Sequence, residues 1–102
     1  ERILAFRALS IARGEVKSLN NFNENEYAKI GTAINRNLES MILEYNYLRK
    51  SSNYLFNSFS NTENKSKGRI GDKTISVNAL GFIIIGHCLH HVNICQKLYE
   101  VN

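Results

Sequence analysis

The chain contains no proline, only two cysteines and no long apolar run, and its six glycines are scattered through 102 residues. Without proline, no residue forces a helix to break, so long uninterrupted helices are permitted. Cys88 and Cys95 stand seven positions apart in what reads as one helix. At ~1.5 Å per residue their Cα atoms are about 10 Å apart, beyond the reach of a disulfide. Both are expected as small buried hydrophobes in a reducing compartment. The longest apolar run, Ala79 to Gly86, falls far short of the ~20 residues that span a bilayer. No signal-peptide pattern precedes it, so a cytoplasmic protein without a membrane partner is expected.

The charge is also sparse in pattern. A net charge of +4 is distributed so that no Lys/Arg run exceeds two residues. Nucleic-acid binding needs a concentrated basic stripe, so no nucleic-acid partner is expected. What remains, at 43% hydrophobic and 22% charged residues, is the composition of a soluble single domain over residues 1–102 with one modest core.

Three helical patterns stand out. In "ERILAFRALSIAR", Ile3, Leu4, Phe6, Leu9 and Ile11 make a segment apolar around most of its circumference, closed by Gly14. Such a helix needs neighbours on more than one side. After an Asn- and Ser-rich connection, Asn23 is placed to cap a second helix. Tyr27, Ile30, Ile34, Leu38, Met41, Tyr45, Leu48, Leu55 and Phe59 recur at steps of three and four, with one step of seven. They predict one amphipathic helix of many turns, bent around Ser51 and Ser52, with Asn35, Arg36, Asn37, Glu39 and Glu44 on its polar face. Asn61 to Thr74 reads as a loop with an extended stretch around Arg69 to Ile75. Ser76 then caps a last helix, Val77 to about Glu100. The fold class expected is all-α, an antiparallel up-down helix bundle of the four-helix type with its first helix missing from this chain.

All three histidines fall in the last helix, as His87, His90 and His91. Side chains four apart emerge on one helix face, so His87 and His91 can both reach one cation at about 2.0–2.1 Å. They continue a seam of Leu80, Ile84, Ile94 or Cys95, and Leu98, which places them in line with the core. The alternative is that each packs in the core and hydrogen-bonds across the bundle. The residue after His87 is Cys88 and not Glu, so the general base of the zincin metalloproteases is absent. No Ser/His/Asp constellation or phosphate loop appears.

Two segments carry a resemblance. "ERILAFRALSIARG" and "GFIIIGHCLHHVNICQKLYE" are similar to parts of the DinB-like superfamily, damage-inducible-type four-helix bundles that include bacillithiol-transferase-type enzymes. The family's last helix carries "GHxxHH", matched by Gly86, His87, His90 and His91. "NFNEN" at 21–25 resembles its "GFDEN", with Asn in place of Gly and Asp, and "SVNALGF" at 76–82 resembles its entry to the last helix. The resemblance covers nearly all of this chain and the C-terminal two thirds of a family member.

The resemblance implies a divalent transition metal, nickel or zinc, held by three histidines. His87 and His91 would be two of them. The third would belong just before Glu1. Glu1 itself is expected mainly as a solvated helix-end charge, with support of the ligands from behind as the alternative, and His90 in a structural or ligand-supporting role. A metal-dependent hydrolase or a thiol-dependent transferase is implied, acting on a small-molecule substrate such as a low-molecular-weight thiol. Arg2, Arg7, Arg36 and Arg49 are expected mainly in ion pairs, with anchoring of an acidic substrate as the alternative. Two rivals stand beside this reading. One is a non-catalytic helical interaction module with core-packed histidines, forming a homodimer through an exposed apolar groove. The other is a bundle whose metal serves only stability.

Overall fold

The computed structural model describes residues 1–31 and 35–99. The expected core position Ile34, the Leu98 side chain and the helix end near Glu100 lie outside the described residues. The described chain is mostly helical with one small hairpin: α1 (Arg2–Ala12), α2 (Glu24–Ile30), α3 (Leu38–Ser58), α4 (Asn61–Lys65), β1 (Lys67–Ile70), β2 (Lys73–Ser76) and α5 (Val77–Tyr99).

The caps fall where the side-chain chemistry puts them. Gly14 takes a φ of 89° just past α1, a conformation that costs glycine little. Asn23 accepts hydrogen bonds from the backbone N–H groups of Asn25 and Glu26, and the Ser76 hydroxyl accepts one from Ala79 at the start of α5. Both satisfy donors that a helix N-terminus otherwise leaves open.

Two expectations are corrected. The single long second helix is divided: α2 ends at an extended Gly31, and α3 starts afresh with the Asn37 side chain accepting from Ser40. A strong internal cap outweighs the continuing apolar rhythm. Through Ser51 and Ser52 α3 is continuous. The 61–74 segment is also more ordered than a loop. Ser60 and Glu63 form a reciprocal capping box that starts α4, and the β1–β2 hairpin closes at Gly71, whose φ is 61°. Leu19 joins the free edge of β1 through hydrogen bonds with Arg69 and Gly71.

The core lies at the hairpin end. Ala8 and Ile11 of α1, Phe59, Ile70, Val77 and Leu80 form one buried cluster, with Leu4, Leu55 and Phe56 packed against it. At the other end, Glu1 and Arg2 pair with Arg49 and Glu44 of α3. So α1 and α3 run in the same direction, with α5 antiparallel to both. This is not a clean up-down bundle; the long connection from Arg13 to Asn37 returns the chain to its starting end before α3 begins.

The last helix has two characters. Its seam is buried at Leu80 and Ile84 but opens beyond them, because α1 and α3 cover mainly its first half. Phe82, Ile85, Leu89 and Val92 remain exposed. Over Val77–Lys97, a stretch of 21 residues, α5 is long and apolar enough to cross a membrane by length and composition alone. The short Ala79–Gly86 run does not reveal this, because it counts only consecutive residues.

Candidate functional site

Beyond Ile84 the seam of α5 enters an open cleft of about 530 Å³, walled also by Glu1 and Leu4 of the α1 end and by Tyr45 and Arg49 of α3. His87 and His91 line it, together with Cys88 and Cys95. The histidines are therefore exposed side chains of a cleft wall and not members of the packed core. The cysteines correct a further expectation: Cys88 is half-buried and Cys95 exposed, and both thiols are free.

The two imidazoles converge. Their Nε2 atoms are 2.9 Å apart, and the ring centroids 4.5 Å. Without an ion, this distance is a hydrogen bond in which one ring donates and the other accepts. With one, both nitrogens can lie about 2.0–2.1 Å from a single cation, at an angle of roughly 90°. The donor set is thus compatible with a shared divalent ion. Among the described residues, no His, Cys, Asp or Glu completes a group of three around them. His90 does not line the cleft; its ring lies 5.9 Å from that of His91.

A polar chain organises the opposite wall. Arg49 grips the Glu1 carboxylate with Nε bonds of 3.0 and 3.1 Å and an Nη2 bond of 2.7 Å. Its Nη2 also donates to the Tyr45 hydroxyl at 2.9 Å, which sits 3.2 Å from Cys88 Sγ. Burial alone would raise the Glu1 carboxyl, but the Arg49 hydrogen bonds and charge outweigh it and hold the group below its ordinary value. The bonds to Glu1 raise the Arg49 guanidinium further. Contact with Cys88, then burial, pushes the Tyr45 phenol up despite the opposing Arg49 charge. The wall therefore offers a protonated phenol, a fixed cation already neutralised by Glu1, and a thiol in contact with that phenol. Ser52 Oγ lies buried beside Glu1 and completes no hydrogen bond of acceptable geometry.

Sequence reasoning found His87, His91 and Glu1, all of which the cleft brings together. Arg49, expected mainly in an ion pair, makes one with Glu1 and also lines the cleft; Tyr45 and the cysteines were missed as cleft residues. Cys88 is about 100° from His87 around the helix, but it is also one turn before His91, so the cleft wall is wide enough to include it. Tyr45 was legible only as one aromatic in the α3 stripe.

Comparison with protein-family models, with curated proteins and with solved structures finds no match for this chain.

Proposed function

We propose that the chain is a metal-binding helical protein of the DinB-like type, in which His87 and His91 hold one divalent ion, nickel or zinc, at the wall of the cleft. The observation that carries this reading is the 2.9 Å approach of the two Nε2 atoms beside open space. A structural ion would be enclosed by protein ligands, whereas an ion with open positions suits catalysis. The other positions would fall to water, to substrate, or to a ligand from outside the described residues. In the same reading the helices belong to a four-helix-type bundle whose further helix would lie against this end.

When bound, such an ion supplies Lewis acidity, lowering the pKa of a bound water or thiol and polarising a carbonyl. This chain's own residues would do the rest. The Tyr45 hydroxyl, oriented by Arg49, can donate a proton or hydrogen bond to a substrate atom in the cleft, while Glu1 holds Arg49 in place. Leu4, Ile84 and Val92 give the cleft apolar walls that favour a small substrate with an apolar body. A hydrolase and a thiol-dependent transferase share these requirements. The same reading places the protein in the cytoplasm. In it α5 is a bundle helix and not a span, since the His, Asn and Gln side chains of its second half would be costly in lipid.

The test is metal content by elemental mass spectrometry after chelator-free purification, for wild type, His87→Ala and His91→Ala. One ion per chain, lost in both variants, supports the reading; a wild type that stays metal-free after reconstitution overturns it. One observation favours a second reading: Phe82, Ile85, Leu89 and Val92 form an exposed apolar stripe at steps of three and four along α5. An interaction module with a partner or second copy on that stripe would show no metal, and a homodimer in sedimentation.

A further inference from the structure

Three of the four arginines singled out in the sequence are paired with carboxylates: Arg2 and Arg36 with Glu44, and Arg49 with Glu1. Arg7 has no carboxylate partner among the described residues, yet of the four it alone is buried, with 9% exposure. Its Nη2 donates to the Asn20 carbonyl at 2.7 Å, and its guanidinium carbon lies 5.4 Å from the centre of the Phe22 ring. These contacts fix the side chain without neutralising it. A buried charge is costly unless it is paired, and a guanidinium carries five donors in a planar fork.

The same side chain lines a second cleft of about 440 Å³ between α1 and the 15–22 connection. This cleft shares no lining residue with the histidine cleft. Lys17 adds a second positive charge to its wall and Glu15 a negative one, so the described lining side chains carry a single net positive charge. Its aromatic lining comes from Phe6, Phe22 and Tyr27, with the last two rings 5.1 Å apart. Phe6 and Tyr27 are 63% and 60% exposed, so these large apolar surfaces face solvent beside a buried cation.

We propose that this cleft binds a small aromatic carboxylate, its carboxyl group on the Arg7 guanidinium and its ring against Phe6, Phe22 and Tyr27. A carboxylate matches the planar fork of arginine and can take two parallel hydrogen bonds from it. The single net positive charge favours a monoanion over a phosphate dianion. The aromatic lining supplies stacking area that acetate cannot use.

Titration of the isotope-labelled protein by NMR, at constant ionic strength, tests this with benzoate, benzamide and inorganic phosphate as probes. Benzoate is expected to give saturable shifts at the Arg7 Nε–H and the backbone amides of Asn20 to Phe22. Benzamide and phosphate should bind about tenfold more weakly or worse, the scale of one lost charge-assisted hydrogen bond. Arg7→Gln should abolish saturation. Because Arg7 also tethers the Asn20 carbonyl, Lys17→Gln serves as a second variant that leaves that bond intact; it should weaken benzoate by about twofold to fivefold. The proposal is overturned if benzoate gives no saturable shifts in the wild type. It is equally overturned if benzamide or phosphate binds as well as benzoate, or if a folded Arg7→Gln variant binds it unchanged.

Discussion

Replacing Glu1 by Gln keeps the side chain's volume but removes the charge that Arg49 grips. The magnitude follows from where the pair sits. The Glu1 side chain is 9% exposed and that of Arg49 27%, so the pair lies between a solvated surface bridge, worth about 0–1 kcal/mol, and a fully buried one, whose disruption costs about 3–5 kcal/mol. The three short bonds from the guanidinium place it above the surface case. A coupling of about 1–3 kcal/mol is expected from a double-mutant cycle of Glu1→Gln and Arg49→Met, read by urea unfolding with unchanged m-values. Coupling below about 0.5 kcal/mol would place the pair with ordinary rim bridges and remove the reason to regard Arg49 as held in position.

The pH dependence gives the same claim an independent sign. Glu1 is held below its ordinary value of 4.5 in the folded chain. Below that value the unfolded chain binds the proton first, so stability rises with pH across the window. The Glu1 contribution is therefore complete above the ordinary value and lost as pH falls through the folded one. The stability gap between wild type and Glu1→Gln should stay constant at about pH 6–8 and shrink below about pH 4.5. A gap that widens on acidification would contradict the assigned direction.

Three further expectations can be checked alongside. Leu80 is fully buried in the core, so Leu80→Ala should cost about 2–5 kcal/mol; a loss under about 1 kcal/mol would mean the hairpin-end core is not the stabilising one. A Cβ added at Gly68 would fall 2.5 Å from Ile11 Cγ1, while one at Gly86 meets nothing within 4 Å. Gly68→Ala should thus destabilise by about 1–3 kcal/mol, and Gly86→Ala should stabilise by up to about 1 kcal/mol from helix propensity; equal effects in thermal melts would refute the packing of β1 on α1. Cys95 is exposed, whereas Cys88 is half-buried beside Tyr45, so iodoacetamide should label Cys95 about threefold or more faster. Tyr45→Phe should narrow that difference, as followed by peptide mass spectrometry.

The local chemistry of this chain was more legible than its topology. Asn23, Ser76 and Gly14 announce their helix ends because a cap is a short-range event, decided by one side chain and the next few N–H groups. The break between α2 and α3 was hidden, because the apolar steps from Tyr27 to Phe59 continue across it while Gly31 and Asn37 interrupt the helix. The hairpin carried a readable sign in Gly71-Asp72 between two four-residue strands, but "KGRI" and "KTIS" are too weakly apolar to alternate clearly. The common direction of α1 and α3 had no local sign at all. It follows from long-range pairs such as Glu1 with Arg49, and single-sequence periodicity cannot assign such partners.

The histidine pair shows how a correct spacing can carry an incorrect environment. Helical period places Leu80, Ile84, His87 and His91 on one face whatever covers it. Whether that face is core or cleft depends on the length of the covering helices. Ala8 and Ile11 reach Leu80, and only Leu4 and the Glu1 end of α1 extend toward the histidines. The same face of α5 is therefore dry where α1 packs and open one turn later, which puts the imidazoles on a wall that solutes can reach. Burial there would have required each ring to find a partner across the bundle; exposure lets the two rings be each other's partner at 2.9 Å. That arrangement brings both Nε2 atoms within reach of one ion, and it is why the transition from core to cleft, more than the spacing alone, makes His87 and His91 a candidate ligand pair.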